Sequence, residues 1–246
     1  MSNLPTLKEL LEAGAHFGHS TKRRNPKMDE YVYAIKNGVQ IFDLVKTHAQ
    51  LEKATKYLSE AVSEGKQVLV LGTKGQAAET VRTECERIGV AYVVTRWVGG
   101  LFTNWPEIKK RINKLIEMKQ KMEEGGYSKY TKKEQVLFKR EIERLERMYG
   151  GLVTLKKVPD IIVMIDPTKE TTALRESLSL GTEIVAVCDS NCDPEGIKIV
   201  IPANDDAVKA VEILTKALID AIEEGVVTGK EKKPAVVKKP SKKASK

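Results

Sequence analysis

Six short runs of Val, Ile and other apolar residues recur along the chain, and helical patterns separate most of them. The runs are VQIFDL (39–44), QVLVL (67–71), VAYVV (90–94), DIIVMI (160–165), EIVAVC (183–188) and IKIVIP (197–202). They mostly lack polar–apolar alternation, as strands covered on both faces do. Between them, His48 to Glu64, Gln76 to Ile88 and Thr168 to Leu180 carry apolar residues at helical spacing. The last two stop at Gly89 and Gly181, where a left-handed cap belongs. Asp205 to Glu224 reads as a long amphipathic helix ending before Gly225. Such alternation predicts a parallel sheet with helices on both faces.

One segment breaks the rhythm. The 65 residues 95–159 hold no strand signal. Ile108, Ile112, Leu115, Lys119 and Met122 step by four and three, and so do Phe138, Ile142, Leu145, Tyr149 and Leu152. That period is a coiled-coil seam. Gly125-Gly126 separates the arms, and Thr131 with Glu134 forms a capping box that starts the second. We expect an antiparallel coiled-coil hairpin over 106–149, projecting from an α/β domain made of 6–105 and 150–225. A Lys-, Pro- and Ser-rich stretch over 226–246 has no apolar periodicity and should be disordered.

Charge is unevenly placed. Of a formal net charge of +8, Gly225 to Lys246 carries +7 and Glu107 to Arg147 carries +5, which leaves −4 elsewhere. Positive charge concentrated on two extensions suits arms that seek a polyanion. Three cysteines, Cys85, Cys188 and Cys192, offer no paired framework and fit a reducing compartment. The start MSNLPTLKELLEAG lacks a basic region followed by an apolar run, so no signal peptide is expected. No apolar run approaches the ~20 residues of a membrane helix. A cytoplasmic protein is expected.

Chemical motifs are sparse. Gly72-Thr73-Lys74-Gly75 follows a strand and opens a helix, a place where phosphate can bind. A nucleotide-dependent enzyme using that turn is the alternative reading, although the spacing is not G-x-G-x-x-G and Arg96 stands where a ribose-binding acid is expected. His16 and His19 lie three apart, and Cys188, Asp189, Cys192, Asp193, Asp205 and Asp206 sit at predicted element ends. No C-x2-C, H-E-x-x-H or G-x-S-x-G spacing occurs, so we expect no catalysis, cofactor or metal. The sequence leaves open an ion near His16, Asp189 and Asp205.

The loop that follows His19 is more informative. His19 opens the candidate RNA-binding set, and Thr21, Lys22, Arg23, Arg24, Asn25 and Lys27 put four cations among small polar donors, a set suited to phosphate. Nothing in the loop promises a core. The second candidate surface starts at TRWVGGLFTNWPEIKKR (95–111), which contains both tryptophans. Gly99-Gly100 permits a reversal, and Asn104 can cap the next helix with Glu107 at the box position. Trp97 and Trp105 would pack the hairpin's root. Beside them Arg96, Asn104, Trp105, Lys109, Lys110, Arg111 and Lys114 suit RNA backbone and unstacked bases.

AGAHFGHSTKRRNPKM with DEYVYAIKNGVQIFDLVKT, then RWVGGLFTNW, then CDSNCDPEGIKIVIPANDDA, resemble in order the signatures of the small-subunit ribosomal protein S-two family. The resemblance covers about 6–225. It implies a flavodoxin-like α/β domain with an inserted coiled-coil hairpin, sitting on the small ribosomal subunit and contacting rRNA and neighbouring ribosomal proteins. In bacteria such proteins are similar in helping to dock ribosomal protein S-one. The family usually has Trp directly before Asn-Pro-Lys-Met; here Arg24 stands there, which favours a phosphate contact over an aromatic one.

Overall fold

The structure is a computed structural model that describes residues 4–231. Five strands form a parallel sheet: β4 (Val68–Leu71), β5 (Ala91–Val93), β6 (Ile161–Ile165), β7 (Glu183–Cys188) and β8 (Ile199–Pro202). Their spatial order is β5-β4-β6-β7-β8, the flavodoxin-like doubly wound order with its switch point between β4 and β6. Leu69 aligns with Ala91 on one side and Ile162 on the other. The apolar runs are continuous because both faces are covered. Ile161, Val163 and Ile165 enter one core, with α2 (Leu44–Ser63), α3 (Gly75–Ile88) and α7 (Val208–Glu231). Ile162 and Met164 enter the other, with α6 (Thr171–Leu180) and the roots of α4 (Trp105–Glu123) and α5 (Lys132–Tyr149).

Several local expectations hold. Gly89 and Gly181 close α3 and α6 at φ 70° and 69°, a conformation that glycine adopts without a Cβ clash. Thr131 and Glu134 form the reciprocal capping box of α5. Ile108, Ile112 and Leu115 of α4 and Ile142, Leu145 and Tyr149 of α5 are buried. They share one core with the sheet. The root of the helix pair therefore packs on the domain, taking the place of a crossover helix. Farther out, Ile116, Met122, Val136 and Leu137 are exposed. Between the helices, Tyr127 stacks on Phe138 with centroids 4.4 Å apart and Tyr130 meets the same ring edge-on.

Three expectations need correction. VQIFDL is not a strand of the parallel sheet. Its β3 (Val39–Phe42) is the middle strand of a separate antiparallel sheet, between β1 (Phe17–Ser20) and β2 (Val32–Lys36). The turn joining β2 to β3 is Asn37-Gly38, with φ 53° and 76°, a residue pair favoured in two-residue hairpins. A short N-terminal helix, α1 (Leu7–Glu12), precedes this sheet, opened by a Thr6–Glu9 capping box. Secondly, α7 does not stop before Gly225 but runs to Glu231. A Cβ on Gly225 would lie 2.6 Å from the Ser59 carbonyl oxygen. The glycine is there for close approach to α2, not as a helix stop. Residues 232–246, the rest of the basic stretch expected to be disordered, lie outside the described residues. Thirdly, the Asn104 side chain does not cap α4. Glu107 bonds Lys110 at 2.6 Å instead of closing a box.

Candidate nucleic-acid interface

The Thr21–Lys27 loop is built as two short 3-10 turns, Thr21–Arg23 and Pro26–Tyr31. It is anchored rather than coreless. Met28 is fully buried, the Asn25 N–H donates to the Ser190 carbonyl at 2.8 Å, and Asn25 Oδ1 accepts from the Lys27 N–H at 3.0 Å. Thr21 N–H donates to the Gly38 carbonyl at 3.0 Å. The four cations are not equivalent. Lys27 Nζ lies 3.0 Å from Asp193 and also bonds Glu195. Those carboxylates hold its pKa above the ordinary lysine value. Arg24 stands 3.8 Å from Asp29. Lys22 and Arg23 are exposed and have no ion-pair partner among the described residues.

His19 turns away from this loop. Its Nδ1 lies 2.9 Å from Asp189 Oδ2, and its backbone N–H donates to Ser190 Oγ at 2.9 Å. It joins a charged group at the carboxyl ends of the parallel strands, where Lys74 Nζ bonds Asp205 at 2.8 Å and Asp206 at 2.7 Å. Burial, reinforced by the charge of Asp166, pushes the Asp205 carboxyl up despite the Lys74 bond. Asp166, Asp205, Asp206 and Glu170 thus surround the Gly72–Gly75 turn. Such a crevice repels phosphate, and the nucleotide-enzyme alternative finds no support there. Gly72 itself serves packing, since a Cβ would meet Val81 at 2.9 Å.

At the second surface the tryptophans differ. Trp97 is buried, and its Nε1–H donates to Glu176 Oε1 at 3.0 Å. The same carboxylate accepts the N–H groups of Gly100, Phe102 and Thr103 at 2.8, 3.0 and 3.2 Å. Burial alone would raise the Glu176 pKa, but these donors hold it below the usual carboxylate value. The Gly-Gly reversal is therefore pinned by α6. Trp105, the first residue of α4, is partly buried against the same core. Lys109 Nζ lies 5.9 Å from the Trp105 ring centroid and donates to the Leu155 carbonyl at 3.0 Å. Lys114 pairs with Glu141 at 3.3 Å and Lys110 with Glu107. Arg96, Asn104 and Arg111 are exposed, and Arg111 has no ion-pair partner among the described residues. Glu176 was not visible from the sequence, because it lies 79 residues from Trp97 and carries no motif.

A model of the family described as ribosomal protein S2 matches residues 10–225. The chain belongs to the ribosomal protein S2 family. It is 45% identical over 220 residues to the small ribosomal subunit protein uS2 of Synechococcus sp. (strain CC9902), covering 89% of this chain and 92% of that one. It is 47% identical over 220 residues to the protein of the same name from Coprothermobacter proteolyticus, covering 89% and 82%. No described helix is long and apolar enough to cross a membrane.

Proposed function

We propose that the chain is a structural, non-catalytic constituent of the small ribosomal subunit, acting in translation by binding rRNA and neighbouring ribosomal proteins in the cytoplasm. Family membership over 10–225 carries this reading. The RNA contacts fall on two surfaces, the Thr21–Lys27 loop and the first turns of α4. Lys22, Arg23 and Arg111 are the leading phosphate contacts, because each is an exposed cation left without an internal counter-ion. Arg96 and Asn104 lie exposed beside the second surface. Trp105 offers part of its ring there.

The finer architecture belongs to the same proposal. Residues 106–149 form an antiparallel coiled-coil hairpin inserted into the α/β domain, a reading supported by the buried stripes of α4 and α5. The hairpin presents its distal half to a partner, and ribosomal protein S-one is one candidate neighbour. Replacing Lys22, Arg23 and Arg111 by Ala tests the reading. Each lost phosphate contact should reduce the slope of log affinity against log salt by about 0.7–0.9 in binding to small-subunit rRNA. Co-sedimentation of the triple variant with the subunit should weaken in parallel. An unchanged slope assigns the contacts elsewhere.

A further inference from the structure

Asn37 is the only asparagine of the chain that a glycine follows. Both residues are exposed, at the tip of the β2–β3 hairpin. An asparagine carboxamide can be attacked by the main-chain nitrogen of the next residue, closing a five-membered succinimide. A side chain on that next residue hinders the approach, and glycine has none. Even a Cβ built on Gly38 would meet nothing within 4 Å. Asn37 sits at φ 53° and Gly38 at φ 76°. Attack needs a rotation of the Asn37 backbone, and the open space around the turn allows it.

The other described asparagines are restrained. Asn25 precedes Pro26, which has no N–H. Asn104 precedes the bulky Trp105, which packs against the core. Asn113 lies inside α4, where the helix ladder holds the next N–H. The N–H that follows Asn191 is that of Cys192, and it donates to the Asp189 carbonyl at 3.0 Å. Asn204 Nδ2 donates to the Gly14 carbonyl at 3.0 Å, and its Oδ1 accepts the Asp206 N–H at 2.9 Å. Among the described residues no hydrogen bond holds the Asn37 carboxamide or the Gly38 N–H.

The turn is coupled to the basic loop. The Gly38 carbonyl accepts the Thr21 N–H at 3.0 Å, and Thr21 is the first residue of the Thr21–Lys27 loop. Lys36 and Val39 face each other across the turn, which fixes its length at the two residues between them. Two-residue hairpins tolerate few backbone shapes. One extra main-chain atom in this turn would carry the Gly38 carbonyl away from Thr21.

We propose that Asn37 is a modification site of the folded chain, converting spontaneously through a succinimide to aspartate and isoaspartate, and that isoaspartate frees the head of the basic loop. The Gly38 nitrogen bonds to Asn37 Cγ and gives up its proton. The Cγ–Nδ2 bond breaks, and ammonia leaves with that proton. Water then opens the ring. Its addition at Cγ gives aspartate. Its addition at the main-chain carbonyl gives isoaspartate, whose backbone runs through Cβ and Cγ and is one carbon longer. Either product puts a new carboxylate beside the loop that carries Lys22 and Arg23. A weakening of rRNA binding by this charge rests on the rRNA reading; the chemistry itself requires only the folded hairpin.

The test ages the full-length chain at mildly alkaline pH, one sample in buffer and one in urea. Peptide mass mapping should find the amide-to-acid exchange at Asn37 in the folded sample, ahead of every other asparagine. Methyl transfer from S-adenosylmethionine by an isoaspartyl carboxyl methyltransferase should label the same peptide. Asn37→Gln, checked for folding by circular dichroism, should lose that label, because the longer side chain closes a ring far more slowly. Hydrogen exchange at the Thr21 amide should be faster in the isoaspartate fraction than in the fresh chain. Product confined to the urea sample overturns the proposal, as does labelling of other asparagine peptides with none at Asn37. Unchanged exchange at Thr21 overturns the link to the loop. Should Asn37→Gln fail to fold, the mapped wild-type peptide decides, since it needs no variant.

Discussion

Glu176 Oε1 accepts the Trp97 indole N–H at 3.0 Å and the Gly100 N–H at 2.8 Å. A single carboxylate on α6 thus ties down both the aromatic anchor and the glycine reversal from which α4 departs. Glu176→Gln keeps the shape but replaces an oxygen acceptor by an amide donor. It should leave at least one of the N–H groups of Phe102 and Thr103, or the Trp97 indole, without a partner. A loss of about 2–4 kcal/mol in urea melts is expected. Trp97→Ala should cost ~3–5 kcal/mol by opening a cavity. Because Trp97 and Glu176 act on one contact, the double variant should lose clearly less than the sum of the singles. Strict additivity would show that the indole–carboxylate bond contributes nothing.

The close approach of α7 to α2 makes Gly225 sensitive. An added Cβ would sit 2.6 Å from the Ser59 oxygen and 2.8 Å from Val62 Cβ. One of these neighbours is backbone, so the helices must separate. Gly225→Ala should destabilise by about 1–3 kcal/mol, although alanine favours helix intrinsically by ~1 kcal/mol. A thermal melt showing a gain in stability would mean that the helices are free to move apart.

What the sequence made legible was local or two-faced. Continuous apolar runs marked β4 to β8 because each buries both faces, and the Thr131–Glu134 box is complete within four residues. VQIFDL misled for the same reason. A short apolar run does not say which sheet it joins, and the Asn37-Gly38 pair next to it carried the hairpin signal. In the candidate site, residue types were legible but pairing was not. Lys27 meets Asp193 166 residues away, and Lys109 meets the Leu155 carbonyl. Such partners depend on where the folded chain returns, which periodicity does not encode.

Acid stability should carry the mark of Glu183. Burial would raise its carboxyl, but Lys198, Tyr57 and Lys66 hold it down to about 2. A carboxylate with a depressed folded pKa stabilises above its unfolded value of about 4.3 and loses that contribution as pH falls toward 2. Glu183→Gln should therefore lower stability at pH 7, by on the order of 1 kcal/mol for a partly exposed ion pair. It should also flatten the decline between about pH 4.5 and 2. Wild-type and variant curves that stay parallel over this window would show that the ion pairs contribute nothing.

The cations of the Thr21–Lys27 loop should divide by their internal partners. Lys27 Nζ is already held by Asp193 at 3.0 Å and by Glu195. Presenting it to a phosphate would mean breaking those bonds or bringing the anion beside two carboxylates. Lys22 and Arg23 are exposed and unpaired among the described residues, so their charge faces outward uncompensated. Lys27→Ala should leave the salt dependence of rRNA binding nearly unchanged, and act chiefly by freeing Asp193 and Glu195 to repel the backbone. The Lys22→Ala, Arg23→Ala double variant should reduce the slope by about 1.4–1.8. Filter binding to small-subunit rRNA across a salt series separates the two effects. A slope change as large for Lys27→Ala as for either other cation would mean that the lysine leaves its carboxylates on binding.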